Sequence, residues 1–379
     1  MTAQQRLCDP SDLPVRRPAR RQLLGLALLP AALGLTGCDT ITARFRRTEA
    51  RCLGPDEEIP EEVFQTAPEG VVYDVQPIDP DVIFYAGPIV SPDGSLVAAT
   101  GRDGLTIWDT ASGQVVRQAA VRGGAPMAWH PDGTMLALSG GRYISLVNVD
   151  GTLRGTLIGH EMPASGSAGM YDLAFRPDGA RLASSHSDGT IRFWDVSADS
   201  CGPVDVIQHG QEDQKSLAFS PDGTVLAVGG RTSYTTSTPG VPPELWDPAT
   251  GERITVLDQV TGKIEELWYS DDGTLLVARA SAPELAVVDA EGTVVAEHTI
   301  DARSYQGFVA GGSGTRAAFR TAYDELTIWD RETGELARWT GAPYRSAAFS
   351  PDDTVLYVLV PETGIIAWDG TSTRAFDLP

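Results

Sequence analysis

The sequence predicts an all-β fold, a closed ring of seven four-stranded antiparallel blades, and three observations carry that prediction. A proline that opens a Pro-Asp-Gly turn, or a residue in its place, recurs at Pro92, Pro131, Pro177, Pro221, Asp271, Gly312 and Pro351. Trp-Asp, or a stand-in, follows at Trp108-Asp109, Val147-Asn148, Trp194-Asp195, Trp246-Asp247, Val288-Asp289, Trp329-Asp330 and Trp368-Asp369. Four short strand-like segments joined by tight turns fill each interval. Successive first landmarks are 39, 46, 44, 50, 41 and 39 residues apart. A period of about 43 with four strands per unit is the mark of a β-propeller.

One unit shows why each segment forms. Tyr171 to Phe175 alternates and ends on an aromatic, as a half-buried strand does. Arg176-Pro177-Asp178-Gly179 is a turn: proline presets φ, the aspartate caps the backbone ahead of it, and glycine takes the positive φ. Arg181 to Ser185 is the second strand, Ser187-Asp188-Gly189 the next turn, Thr190 to Val196 the third strand and Val204 to Gln208 the fourth. Such a meander leaves both faces unsatisfied until neighbouring sheets cover them. The aromatic two before the turn proline recurs as Trp129, Phe175, Phe219, Tyr269 and Phe349. Together with the Trp of Trp-Asp it is expected to pack between blades. Two segments can supply the outermost strand of the last blade, Thr373 to Leu378 or Val71 to Gln76.

These repeats resemble the WD-repeat family of β-propellers over residues 85–379. The third unit carries the resemblance best, with Gly159-His160, Asp188 and Trp194-Asp195. The resemblance implies a buried structural network of His160, a strand hydroxyl (Ser184 or Ser185), Asp188 and Trp194. The other units lack the Gly-His pair, and two lack the tryptophan, so the chain reads as a divergent member. Asp353 to Val360 and Ala286 to Gly292 also look like the bacterial YVTN-type repeat, which implies the same architecture.

Residues 1–37 read as an export signal. Arg16, Arg17, Arg20 and Arg21 precede an apolar run from Leu23 to Leu35, too short for a comfortable membrane span. The run ends in Leu35-Thr36-Gly37-Cys38, which resembles the lipobox of bacterial lipoproteins and implies lipid attachment at Cys38. More than one acyl chain gives stable anchoring. Arg20-Arg21-Gln22-Leu23-Leu24 resembles a twin-arginine export motif, and general secretion stays open beside it. Residues 38–70 are polar, with basic Arg44 to Arg47 and acidic Pro55 to Glu62, and read as a tether. Residues 71–379 make up the propeller. The expected location is the extracytoplasmic face of a bacterial cell membrane.

Composition narrows the function. Length alone suggests two domains, but a ring of repeats is one structural unit. From Cys38 onward 24 basic residues face 49 acidic ones, a formal charge of −25, against −22 for the whole chain. That excess opposes nucleic-acid binding, which needs cations at the phosphates. Of four cysteines, Cys8 leaves with the signal and Cys38 takes the lipid. Cys52 and Cys201 remain, either as a disulfide that pins the tether to the outer strand of blade three or as two separate thiols.

No metal-binding His-x-x-x-His or Cys-x-x-Cys, no Gly-x-Ser-x-Gly elbow and no phosphate-binding Gly-x-x-x-x-Gly-Lys occurs in the sequence. Neither a cofactor nor a metal is therefore expected. The fourth unit departs from the repeat, with 25 residues from Pro221 to Trp246 where the others have 16 or 17. This insertion, 231–243, and the long inter-blade loops 160–169 and 209–215 are expected on one face. Insertions of this kind often mark a binding face. Arg231, Tyr234, Pro242 and Glu161 are thus candidates for a partner-binding rim. The expected role is a non-catalytic platform or scaffold, a monomer that binds a protein or another cell-envelope component. The alternative is an enzyme or cofactor-bearing propeller of hydrolase, lactonase or quinone-dependent oxidoreductase type, which would need His, Asp or Glu converging on the ring axis.

Overall fold

The computed structural model describes residues 50–64 and, from 84 to 379, all but 162–168, 198–200, 209–214, 231–239, 280–283, 300–307, 312, 323–324, 335, 342 and 362. Seven antiparallel sheets follow one another along the chain, each pairing four consecutive strands in order. Blade three comprises Met170–Phe175, Arg181–His186, Thr190–Asp195 and Gly202–Gln208, within two residues of the bounds read from sequence.

The cores lie between blades. Each of the seven junctions has its own cluster of buried side chains drawn from both neighbours. Between blades seven and one it comprises Tyr357, Leu359, Ile365, Ala367 and Phe376 against Val97, Ala99 and Trp108. An inter-blade core explains why a lone meander is unstable and why the ring must close. Trp108, Trp194 and Trp329 are buried at these junctions, while Trp246 and Trp368 are half-buried there.

Thr373–Ala375 is the outer strand of blade seven, paired with Gly364–Trp368. This settles one of the two alternatives for the last blade. Val71 to Gln76 lies outside the described residues. The segment after that strand latches onto blade one. Trp108 Nε1 donates to the Asp377 carbonyl at 2.8 Å, and the Asp377 amide donates to the Gly113 carbonyl at 2.9 Å. Arg374 donates to the carbonyls of Thr110 and Ala111.

The tether expectation needs correction. Arg51–Leu53 is a fifth strand of blade two, antiparallel to Leu153–Ile158, and Glu61–Phe64 is a helical turn. Leu53 and Val63 are buried against Tyr143 and Ile158, with Ile59 alongside. The polar composition of 38–70 hid these anchors. Space on the partner strand admits the added chain, since a Cβ at Gly155 would stand 2.9 Å from the Leu53 carbonyl oxygen.

Within each blade the chain reverses so that inter-blade loops and second-to-third turns share a rim. In blade three, Met170 pairs with His186 and Thr190 with Gln208, which puts all four at that end. The described residues that flank 162–168, 209–214 and 231–239 therefore stand at one face. Arg51 pairs with Ile158, so the N-terminal segment enters blade two at the same end.

Candidate functional site at the channel mouth

The network implied for blade three forms. His160 Nδ1 lies 3.0 Å from Asp188 Oδ2, and Nε2 lies 2.8 Å from Ser184 Oγ. Trp194 Nε1 donates to the same Ser184 oxygen at 2.9 Å. Thr190 donates its hydroxyl and amide to Asp188 Oδ1, and the Glu161 amide donates to Asp188 Oδ2 at 2.9 Å. Burial pushes His160 down to about 4, against the hydrogen bond to Asp188 that favours its cation. Desolvation opposes the Asp188 charge, yet hydrogen bonds with His160 and His186 hold its carboxyl well below the usual range. Ser184, not Ser185, is the hydroxyl member.

His186 stacks on His160 with ring centroids 4.5 Å apart. His160, His186 and Asp188 offer ligand atoms within 4.8 Å of one another. His160 spends both ring nitrogens and Asp188 both oxygens in the network. His186 Nδ1 accepts the Asp188 amide, which leaves only its Nε2 without a partner. One unspent nitrogen does not make a metal centre, and the cluster is a brace for the blade.

The functional geometry lies at the axis. The first strands of successive blades line the inside of the ring. Three residues before the repeated aromatic, blades two to five present Pro126, Asp172, Ser216 and Glu266. Asp172 and Ser216 join blades. The Leu217 amide donates to Asp172 Oδ2 at 2.7 Å, the Leu173 amide to Oδ1 at 2.8 Å, and the Leu267 amide to Ser216 Oγ at 3.0 Å. The Ser216 hydroxyl also bonds the Asp172 carboxylate. Glu266 occupies the same position one blade on.

With Glu265, Tyr171, Met170 and Ala125 these residues line a cavity of about 360 Å³. Asp172 and Glu266 are half-buried, open to the channel and enclosed elsewhere. Enclosure pushes Asp172 up to about 7 and Glu266 up to about 8, and the Asp172 charge adds to the rise of Glu266. A second cavity, of about 660 Å³, shares Ala125 and Pro126 and runs along Gly87, Pro88, Pro343 and Arg345 to Pro361. Pro361 follows the second strand of blade seven and Pro343 precedes its first, so this cavity opens on the loop-bearing face.

The candidate rim residues part company. Arg231 and Tyr234 lie outside the described residues. Pro242 sits within the strand Val241–Asp247, half-buried, rather than in a loop. Glu161 is tied by its amide to the structural network and ends the described chain before the blade-three loop. Cys52 and Cys201 form a disulfide, with Cα atoms 5.6 Å apart, that joins the N-terminal strand to the residue preceding the outer strand of blade three. Cys38 lies outside the described residues. The sequence reading missed Asp172 and Glu266, although a polar residue at a fixed offset from the repeated aromatic was the available signal.

Comparison with known proteins agrees with the geometry. The family model described as WD domain, G-beta repeat matches residues 151–195. That stretch covers the outer strand of blade two and the first three strands of blade three. A Periodic tryptophan protein 2 homolog of Neurospora crassa is 28% identical over 182 residues, 41% of this chain and 19% of that protein. Small ribosomal subunit protein RACK1y of Oryza sativa is 32% identical over 114 residues, 28% of this chain and 33% of that one. The matches span between 11% and 34% of such curated relatives. Among solved structures, the Cps50 (Swd1) β-propeller domain of Myceliophteria thermophila superposes with a TM-score of 0.61 at 19% identity, over 76% of this chain and 96% of that one. The chain is a seven-bladed β-propeller, and its unit at 151–195 matches a WD repeat.

Proposed function

We propose that the protein is a membrane-anchored, extracytoplasmic, non-catalytic platform that binds another protein of the cell envelope through its loop-bearing face. The observation that carries this reading is that one rim holds the strand ends flanking the three insertions, the two channel cavities and the entry of the N-terminal segment. The four described histidines are taken up in packing and bracing. His160 and His186 belong to the blade-three network, His130 bonds Asp132 and the Gly179 carbonyl, and His298 packs on Trp329. Anchoring through Cys38 follows from the lipobox resemblance. Eleven residues lie between Cys38 and Ala50, a contour length of at most about 40 Å.

Crosslinking in native membranes followed by mass spectrometry tests the reading, with residues 232–240 replaced by a two-residue turn as the comparison. Loss of a captured partner with the ring intact is expected; unchanged capture removes the loops from the interface. Replacing Cys38 by Ala should move the protein out of the membrane fraction. A second reading, a propeller enzyme, is favoured by the Asp172 and Glu266 carboxyls in one cavity. Metal and cofactor analysis of the purified chain separates the two, because a stoichiometric ion or cofactor would reverse their order.

A further inference from the structure

We propose that the axial cavity of blades two to five receives a basic side chain, lysine or arginine, of a partner polypeptide lying across the channel mouth, with the Glu266 carboxyl as its main acceptor. This rests on the platform reading and gives the partner its chemistry.

At one repeated position, three consecutive blades carry Asp172, Ser216 and Glu266. The first two are spent on amides of the next blade. Among the described residues, nothing hydrogen-bonds the Glu266 carboxyl, and the one charge acting on it is that of Asp172. An enclosed acid with no donor and an acidic neighbour lacks a counter-charge. The fitting ligand brings both N–H donors and positive charge.

A divalent ion needs several oxygen ligands. Asp172 already takes two amides and a hydroxyl, which leaves one unspent carboxylate. A side chain needs less, since its alkyl stem can lie on Ala125, Pro126 and Met170 while its head reaches Glu266. The charge layout sets the direction of the segment. The mouth is acidic over blades three to five and carries Arg345 at blade seven, at the far end of the proline-lined cavity. A segment with its basic residue over the former and a neutral or acidic residue beside the latter is complementary to it.

The test is titration calorimetry of the full chain with Nα-acetyl-lysine amide and Nα-acetyl-arginine amide, against their neutral norleucine and citrulline counterparts and against calcium chloride. At least one cation is expected to bind roughly tenfold more tightly than its neutral counterpart, and E266Q should remove that preference without lowering the melting temperature. Equal binding of the neutral counterpart, unchanged binding by E266Q, or no binding of either cation overturns the proposal. Calcium binding that E266Q abolishes also overturns it and makes the cavity a metal site. Partner capture that depends on residues 232–240 but survives alongside failed cation binding would leave the platform reading standing and remove only this inference.

Discussion

Asp353 shows how one residue repairs a divergent repeat. The turn of blade seven reads Pro351-Asp352-Asp353 where other turns have glycine last, and Asp353 holds φ at 56°. A non-glycine residue there carries backbone strain. Its buried carboxylate accepts from the amides of Ser313, Thr315 and Arg316 and from the hydroxyls of Ser313 and Thr315. Those groups belong to the turn of blade six, where Gly312-Ser313-Gly314 has neither the proline nor the aspartate. Asp353→Gly relieves the strain but orphans these donors, so it should destabilise by about 1–3 kcal/mol, read as a lower denaturation midpoint. The buried His160 and the half-buried Glu266 bend the pH response in opposite directions. His160 titrates at about 4 when folded and 6.5 when free, so its contribution is present above the free value and lost as pH falls through about 4. Glu266, raised from 4.5 to about 8 by desolvation and then by the Asp172 charge, works the other way: its contribution is present below 4.5 and lost as pH rises through about 8. Calorimetric scans should therefore show the melting temperature of E266Q falling less than that of the parent chain between about pH 6 and about pH 9.

At the scale of elements, the added strand Arg51–Leu53 separates blade two from the other six among the described residues. It covers an edge that would otherwise offer free backbone groups. Three short residues could not hold there alone. Leu53 and Val63 bury into a satellite core, and the Cys52–Cys201 bond spans 149 residues. In the chain-entropy picture a loop of that length restricts the unfolded chain by about 5 kcal/mol. Gly155→Val would force a branched side chain into the Leu53 carbonyl. Faster amide exchange at Arg51 to Leu53 and faster reduction of the Cys52–Cys201 disulfide by added dithiothreitol are expected, while the seven blades keep their far-ultraviolet dichroism. Exchange rates equal to the parent chain would show that the partner strand shifts to make room.

On the scale of the whole molecule, closure is the event that stabilises the ring. Every inter-blade core needs two neighbours, and the junction of blades seven and one forms last in sequence terms. Phe376 and Asp377 supply part of it from beyond the final strand. Removing residues 374–379 deletes a buried aromatic, the acceptor of Trp108 and both arginine bonds to blade one. The expected result is a broader unfolding transition at lower temperature, with protection lost first in blades one and seven. A transition as sharp and as high as that of the full chain would show that the remaining apolar contacts close the ring unaided.

The seven units, the strand bounds of blade three and the His160–Asp188–Trp194 brace were all legible in the sequence. The units and strand bounds rest on local turn chemistry and on a period that repeats along the chain, and the brace on the resemblance to the WD repeat. The strand Arg51–Leu53 was not, because its stability comes from a glycine-lined edge about a hundred residues away rather than from its own pattern. Nor was the pairing of Asp172 with Glu266. Each reads as an ordinary polar residue on an inner strand, and only the curvature of the ring turns both toward one axis. The sequence by itself determined that wedges of one kind repeat until their apolar faces are covered. Tertiary structure decided which side chains meet where no repeat points, since meeting at the axis depends on radial position and not on distance along the chain.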